Sequence, residues 1–266
     1  MIRYFFFCSL FFSVFSGYGQ AGLTATPVKF YYTLGPGGNQ AQTITVSNPT
    51  NVEVEVGVSF SDWKYNELGN NKIVESGTLP TSCVDWIQVL PSSYFVLQPH
   101  ERKKLDIVLT VPEDADRNVP VHTALLYFSQ LNPGDGGTDA NGAAIKVTVR
   151  MGVKIYHSFF ESASSAIEII GFDTFDNKQE KPAVYLMLEN KGKIWTNGKV
   201  SWELFNKENG KKTKLDKTDF YTLPGDVRRI EKILPGDLEK GQYVLTAIVK
   251  YKDSDAIKVA ELEFTY

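Results

Sequence analysis

The sequence predicts an all-β protein with two immunoglobulin-like antiparallel β-sandwich domains. Three observations predict this fold class. From residue 23 onward the chain consists of short runs in which apolar and polar residues alternate, as they do in strands that bury one face. Clusters of Gly, Pro, Asn and Asp, which favour turns, separate the runs. No long segment has the periodicity of an amphipathic helix, so strands are expected to pack on strands.

The N-terminus has the features of a secretory signal peptide. Arg3 precedes the apolar run 4–15, and the small residues Gly17 and Gly19 occupy the positions expected for cleavage after residue 19. The apolar run is too short for a membrane span, which needs about 20 residues. We therefore predict a signal peptide over residues 1–19 and an exported, periplasmic product without stable membrane insertion. The cell surface or the extracellular space is the alternative location.

Seven alternating runs predict the first domain, residues 20–157. Seven short strands separated by turn signals are typical of one immunoglobulin-like sandwich. The Gly-rich segment 132–137 is expected to be a loop before the last strand. The predicted strands are residues 23–32, 42–47, 52–60, 86–89, 103–111, 122–130 and 144–156.

The alternating pattern restarts after residue 165 and predicts a second β-sandwich domain, residues 158–266. Tyr243 follows Leu238 and Gly241 at the start of a late strand, which is typical of the tyrosine corner of Greek-key sandwiches. Because the linker is short, we expect the domains to meet at a cleft with residues 154–158 at its hinge. The predicted strands are residues 167–171, 183–189, 199–206, 212–221, 228–233, 243–251 and 257–266.

The longest alternating run lies at residues 144–155. Successive side chains of a strand point to opposite faces, so this run has one apolar face and one polar, mainly basic face. Such a strand fills either the core of its own domain or the core of a partner, and the sequence leaves both alternatives open. The apolar face comprises Ile145, Val147, Val149, Met151, Val153 and Ile155.

Several functional classes are disfavoured. With 28 Lys and Arg against 31 Asp and Glu, the chain lacks the basic excess of nucleic-acid-binding proteins. The three histidines are scattered along the sequence, and neither a nucleophile-elbow motif nor a phosphate-binding loop is present, so we predict no enzyme and no cofactor. The segment 135–142 is rich in Asp and Asn, which suggests calcium, but it lacks the closing Glu. A flexible loop is the favoured interpretation, and no metal site is predicted.

The remaining conspicuous side chains are interpreted as core residues. Cys83 is the single thiol left after signal cleavage, so it forms no internal disulfide. A buried apolar role is favoured for it over a reactive thiol or an intermolecular bridge. Core packing is likewise favoured over a sugar-stacking platform for five aromatic residues. These are Trp63, Tyr65, Trp86, Trp195 and Trp202.

Six segments of the first domain match a known family in their order and spacing: residues 44–48, 86–91, 95–101, 105–109, 125–128 and 153–156. On these segments the first domain resembles the N-terminal domain of PapD-like periplasmic pilus-assembly chaperones. This resemblance implies a non-catalytic chaperone that binds secreted, pilin-like subunits by lending them a strand, with an outer-membrane usher as a further partner. An unoccupied strand edge also invites a self-capping dimer.

The resemblance also implies roles for individual residues. The strand donors would be Ile145, Val147, Val149 and Met151. Lys154 matches the basic residue that holds the C-terminal carboxylate of the subunit. The family pairs this Lys with an Arg on the first strand, but Pro27 stands at or near that place here. Lys29, two positions on and therefore on the same face, is the candidate substitute.

The second domain suggests an alternative function. Its 190–193 turn and its Leu-x-x-Gly-x-Tyr ending at residues 238–243 are similar to generic extracellular sandwich domains, including those of WxL-interacting surface proteins. The alternative is therefore a non-catalytic cell-surface or periplasmic immunoglobulin-like scaffold, which would bind a partner that is already folded.

Overall fold

The structure, a computed structural model, describes residues 22–159, 164–176, 181–251 and 257–266. The predicted signal peptide, residues 1–19, lies outside the described residues. Strands β1 to β12 form the first sandwich: β1 (Thr24–Thr26), β2 (Lys29–Thr33), β3 (Asn39–Ser47), β4 (Val54–Tyr65), β5 (Asn71–Val74), β6 (Ile87–Leu90), β7 (Tyr94–Leu97), β8 (Arg102–Thr110), β9 (Val121–Gln130), β10 (Gly134–Thr138), β11 (Ala144–Val147) and β12 (Arg150–Ser158). A single 3-10 turn, Val84–Trp86, precedes β6.

The first sandwich consists of two sheets that face each other across one core. One sheet has the strand order β1-β3-β8-β6, and the other has the order β2-β12-β9-β4-β5 with β7 paired to β4. Ile44 of the first sheet and Leu126 and Ile155 of the second are fully buried in the core between them. Cys83 is also fully buried in this core, which confirms its interpretation as an apolar core residue.

The second sandwich contains β13 to β19: β13 (Ile167–Phe175), β14 (Ala183–Asn190), β15 (Thr196–Asn206), β16 (Lys212–Thr222), β17 (Val227–Ile233), β18 (Gln242–Tyr251) and β19 (Ile257–Thr265). Its sheets have the orders β13-β14-β17 and β16-β15-β18-β19, with Trp202 buried between them. The Tyr243 hydroxyl donates a hydrogen bond to the carbonyl of Glu239 at 2.8 Å, as the tyrosine-corner prediction requires. The predicted fold class, two antiparallel β-sandwiches, is confirmed. Among the described residues, no helix is long and apolar enough to cross a membrane.

The first predicted strand, residues 23–32, is in fact two strands in different sheets. It is broken at Pro27, which has no N–H group for a strand ladder. Before the break β1 pairs with β3 of one sheet, and after it β2 pairs in parallel with β12 of the other sheet. The switch brings Lys29 into register beside Lys154.

The last predicted strand, residues 144–156, is also divided, because residues 148 and 149 are not in a ladder. β9 and β10 form one side of a long hairpin, and β11 and β12 form the other. The segment 134–138, expected to be part of a loop, is the strand β10 and pairs with β11. We call residues 134–147 the arm, because β10 and β11 make a two-stranded sheet separate from both sandwich sheets.

The segment 154–158 is not a hinge. Each of its residues is in register with β9 on one side and with β2 on the other. A strand that is paired along both edges is held rigidly, because bending it would break ladder hydrogen bonds on both sides. These five residues therefore belong to a sheet of the first sandwich.

Two of the histidines described as scattered are in contact. His122 and His157 are register partners on β9 and β12, and their ring centroids lie 5.6 Å apart. Both are buried, and neither Nδ1 atom has a hydrogen-bond partner in the described part of the chain. Burial, with a smaller effect from the charge of His157, lowers the pKa of His122 to about 4, although Asp116 opposes the shift. Burial also lowers the pKa of His157, against a hydrogen bond to the carbonyl of Leu34.

We expect this pair to make the protein acid-sensitive. The pKa of His122 is lower in the folded chain than in the unfolded chain, so its contribution is complete above about pH 6.5 and is lost as the pH falls toward 4. The loss for His122 alone is about 3 kcal/mol in the free energy of unfolding. Urea unfolding at a series of pH values measures it.

Two variants separate the contribution of His122 from those of other groups that change protonation between pH 6.5 and 4. His122→Phe keeps a ring in the aromatic cluster and should flatten the fall in stability between pH 6.5 and 4. His100→Asn removes an exposed histidine at a positive φ of 60°, which Asn tolerates, and should leave the fall unchanged. Equal pH dependence in His122→Phe and the wild type would contradict the prediction.

Candidate functional site

The structure places the four candidate donor residues along one strand edge, in two environments. Ile145 and Val147 are on the arm and are 41% and 49% exposed. Val149 and Met151 are partly buried and pack against the core of the first sandwich. The apolar face therefore changes along its length from solvent-exposed on the arm to core-packed in the sandwich.

The edge that carries these side chains is unpaired in the described structure. β11 pairs only with β10, and residues 150–153 of β12 pair only with β9, because β2 begins opposite Lys154. Main-chain groups on the other side of 144–153 are therefore available to a further strand. An open edge with exposed apolar side chains is the arrangement that β-strand addition uses.

Lys154 directly follows this edge and is the first residue of β12 that is in register with β2. Its ammonium is 3.6 Å from the centre of the Trp63 ring and 4.6 Å from that of Tyr65. Its Nζ donates hydrogen bonds to the Tyr65 hydroxyl at 3.2 Å and to Oδ1 of Asn71 at 2.7 Å. Burial, followed by the charge of Lys29, lowers the pKa of Lys154 to about 8.

Lys29 completes a pair of cations in the interdomain cleft. It is the register neighbour of Lys154, and its Nζ is 4.9 Å from the centre of the Tyr221 ring of the second sandwich. No carboxylate of the described residues is within ion-pair distance of either Lys. Two adjacent cations without an anion attract one, because a bound carboxylate relieves their repulsion.

A pocket of about 220 Å³ lies between the sandwiches. It is lined by Lys29 and by Tyr65, whose hydroxyl accepts a hydrogen bond from Lys154. Tyr31 stacks on Tyr156 at a centroid distance of 5.1 Å and packs against Trp195 of the second sandwich at 5.2 Å. The ring of Tyr221 completes the wall beside Lys29. Burial, with a smaller effect from Tyr221, raises the pKa of Tyr31, so its hydroxyl is neutral and a hydrogen-bond donor at physiological pH.

Arg228 joins the two domains at the rim of the cleft. Its Nη1 donates hydrogen bonds to the carbonyls of Asn66 and Glu67, at 3.2 and 2.9 Å, in the turn between β4 and β5. The backbone N–H of Arg229 donates to the Glu67 carbonyl at 2.7 Å. The same β4–β5 hairpin carries the Asn71 that holds Lys154, so the second domain supports the position of the ammonium.

The Asp-rich segment suggested as a calcium loop makes a turn instead. The Asp139 carboxylate accepts hydrogen bonds from the backbone N–H groups of Asn141 and Ala143. Nowhere in the described ranges are three His, Cys, Asp or Glu side chains grouped as a metal site needs.

The solved structures that resemble the chain include two that each cover more than nine-tenths of it. One is a chain from the chaperone–tip adhesin complex of CFA/I fimbriae biogenesis, with 11% sequence identity, coverage of 92% of this chain and 98% of that chain, and a TM-score of 0.51. The other is the class 5 fimbriae chaperone CfaA, with 11% identity, coverage of 91% and 98%, and a TM-score of 0.50. This protein has the PapD-like chaperone fold. The likeness predicted for the first domain is thus confirmed at the level of the fold. It also extends to the second domain, for which the sequence did not predict it.

No protein-family model and no curated protein matches the sequence. The chaperone fold is therefore recognised from the arrangement of strands.

Two of the five aromatic side chains predicted to lie in a core line the cleft instead. Trp63 and Trp202 are buried, but Tyr65 and Trp195 line the space between the domains. The alternation of β4 could have indicated this position of the aromatic side chains. Tyr65 and Trp63 lie on the face of β4 opposite its core residues, so large aromatic side chains face away from the first core. Arg228 gave no such signal, because its partners are backbone carbonyls more than 150 residues away.

Proposed function

We propose that this protein is a non-catalytic periplasmic chaperone that binds secreted pilin-like subunits by β-strand donation. The observation that carries the proposal is the unpaired edge at 144–153 with Ile145 and Val147 exposed on it. An incomplete subunit sandwich would gain both main-chain hydrogen bonds and apolar side chains from this edge. The fold shared with fimbrial chaperones supports the same function.

The proposal assigns one task to the edge and another to the two lysines. Ile145 and Val147 enter the open groove of the subunit, and Val149 and Met151 continue the strand where it joins the first sandwich. Lys154 and Lys29 bind the C-terminal carboxylate of the subunit, which sets the register of the added strand. Register matters because a shift by one residue would turn the apolar side chains away from the groove.

The same edge accounts for the other proposed partners. When no subunit is bound, exposed apolar residues on an open strand favour pairing with a second copy, so a self-capped dimer is part of the proposal. Transfer of the subunit to an outer-membrane usher would then free the edge again.

The test is subunit capture by a double variant of the arm. We expect Ile145→Asp combined with Val147→Asp to abolish the complex with a co-expressed fimbrial subunit, because two carboxylates cannot enter an apolar groove without a large desolvation cost. Co-purification measures the complex. Because both side chains are exposed, the thermal stability of the protein alone should change little.

The second domain contains a matched control. Ile257 and Val259 are 50% and 56% exposed and alternate on the edge strand β19. Ile257→Asp with Val259→Asp introduces the same charges on an edge of the other sandwich and should leave capture unchanged. Unchanged capture by the arm variant would overturn the proposal. It would favour the alternative scaffold, which binds a folded partner without using this edge.

A further inference from the structure

Binding of a carboxylate by Lys29 and Lys154 does not explain the aromatic walls of the interdomain pocket. A carboxylate is recognised by cations and N–H donors, and it gains nothing from the faces of aromatic rings. Yet Tyr31 and Tyr221 remain 47% and 46% exposed at the pocket, with Trp195 between the domains beside them. Accessible rings that are grouped at one cavity are typical of a site that binds an apolar group.

The rings are arranged to receive a flat apolar group. Tyr31, Tyr156 and Trp195 are in mutual contact, with centroid distances of 5.1, 5.2 and 5.4 Å. Tyr31 and Tyr156 are held on neighbouring paired strands, so the first sandwich supplies a fixed wall of the pocket. An additional ring can stack or pack edge-on against such a wall.

The volume of the pocket limits what it can hold. About 220 Å³ is smaller than the roughly 300–1,000 Å³ of typical small-molecule sites, so the pocket suits one side chain and excludes an oligosaccharide. Lys29 lines the same pocket, and Tyr65 connects it to Lys154. The ligand therefore combines a single ring with an anionic group close to it.

We propose that the pocket binds the aromatic side chain of the C-terminal residue of a partner chain, while the two lysines bind the carboxylate of that residue. The protein would thus select subunits that end in an aromatic residue. This inference rests on the proposed carboxylate anchor and adds the identity of the terminal side chain.

The experiment is calorimetric titration of the mature protein with short peptides of the same polar sequence that end in Tyr, Leu or Ala. A fourth peptide ends in Tyr with an amidated C-terminus. We expect the Tyr peptide to bind about tenfold more tightly than the Leu peptide, because aromatic pairs add affinity beyond the burial of apolar area. Amidation should abolish binding, because it removes the charge that the lysines recognise.

Two variants test whether the preference for the Tyr peptide arises in the pocket. Trp195→Leu and Tyr221→Ser should each reduce the preference for the Tyr peptide over the Leu peptide to about twofold or less. Neither residue belongs to the buried core of the second sandwich, and unfolding curves verify that the variants fold. Tyr94→Ser is the matched control, because Tyr94 is also 49% exposed but lies on β7 of the first sandwich and does not line the pocket.

The outcomes distinguish the inference from the function on which it rests. Equal affinity for the Tyr and Leu peptides, or a Tyr preference that survives both pocket variants, overturns the inference and leaves the carboxylate anchor intact. Equal affinity for the free and amidated Tyr peptides overturns the anchor itself. Absence of binding by every peptide overturns the inference, while subunit capture by the arm is still decided by the co-purification experiment.

Discussion

Replacing Lys154 by Met is expected to lower the affinity of the protein for a C-terminal carboxylate by about a hundredfold. Loss of one partner from a desolvated charge pair weakens binding by about 2–5 kcal/mol. Met has a similar length and fits against the rings of Trp63 and Tyr65, so the cleft keeps its shape. Titration with a short peptide that has a free C-terminal carboxylate measures the loss.

The low pKa of Lys154 makes the same interaction sensitive to pH. Only the protonated amine binds a carboxylate, and the pKa of Lys154 in the free protein is about 8. Above pH 8 the affinity should therefore fall about tenfold for each pH unit, because binding must first return a proton to the amine.

Lys154→Arg is the control for both effects. The guanidinium stays charged throughout this pH range. This variant should therefore retain its affinity at pH 7, and its affinity should not decrease above pH 8. Undiminished binding by Lys154→Met would show that Lys154 is not the anchor. A decrease above pH 8 that persists in Lys154→Arg would show that another group is responsible.

Replacing Arg228 by Ala is expected to loosen the contact between the two domains. The guanidinium donates to two carbonyls of the β4–β5 turn and is only 6% exposed. Its removal leaves those carbonyls without their donor and should lower the free energy of unfolding by about 2–3 kcal/mol. Urea unfolding measures this change, and small-angle X-ray scattering measures the expected increase in the radius of gyration.

The neighbouring arginine is a matched control for this variant. The side chain of Arg229 packs on Tyr185 and Phe175 and pairs with Glu231, all within the second sandwich. Its contact with the first sandwich is made by its backbone N–H group, which Arg229→Ala retains. Arg229→Ala should therefore leave the radius of gyration unchanged. An equal effect of the two substitutions would contradict a specific role for Arg228.

Gly69, on the first-sandwich side of the Arg228 contact, allows a second test of that contact. Gly69 has a φ of +82°, and a Cβ atom there would lie 1.8 Å from Nη2 of Arg228. We expect Gly69→Ala to displace the guanidinium and to open the cleft as Arg228→Ala does, because the new methyl group and the bond donors cannot occupy the same space. Scattering of the double variant should equal that of Arg228→Ala alone, since both changes remove one contact.

Most strands of both sandwiches could be predicted because alternation is a local property. The runs at 183–189 and 243–251 match β14 and β18 to within one residue. β5 and β7 were not predicted, because four residues contain too few alternations to distinguish a strand from a loop. The strand β10 was taken for a loop because its Gly residues favour turns, and pairing with β11 outweighs that preference.

The candidate site, like the strands, could be predicted only in part. The two-residue period of a strand predicted that Lys29 shares a face with position 27. In the structure Lys29 is in register with Lys154. The aromatic pocket and the Arg228 contact are made by segments far apart in the sequence. Their existence depends on how the second sandwich docks on the first, and no local pattern reports that angle.

By itself, the sequence determined that the chain is built from alternating strands in two sandwiches and that 144–155 has one apolar face. Only the tertiary structure decided what that face contacts. Val147 and Val153 have the same place in the alternation, yet Val147 is 49% exposed and Val153 is fully buried. Alternation specifies the direction of a side chain from its own strand, whereas burial depends on whether the opposing sheet extends far enough to cover it. On the arm it does not, and the apolar side chains there are left exposed to solvent.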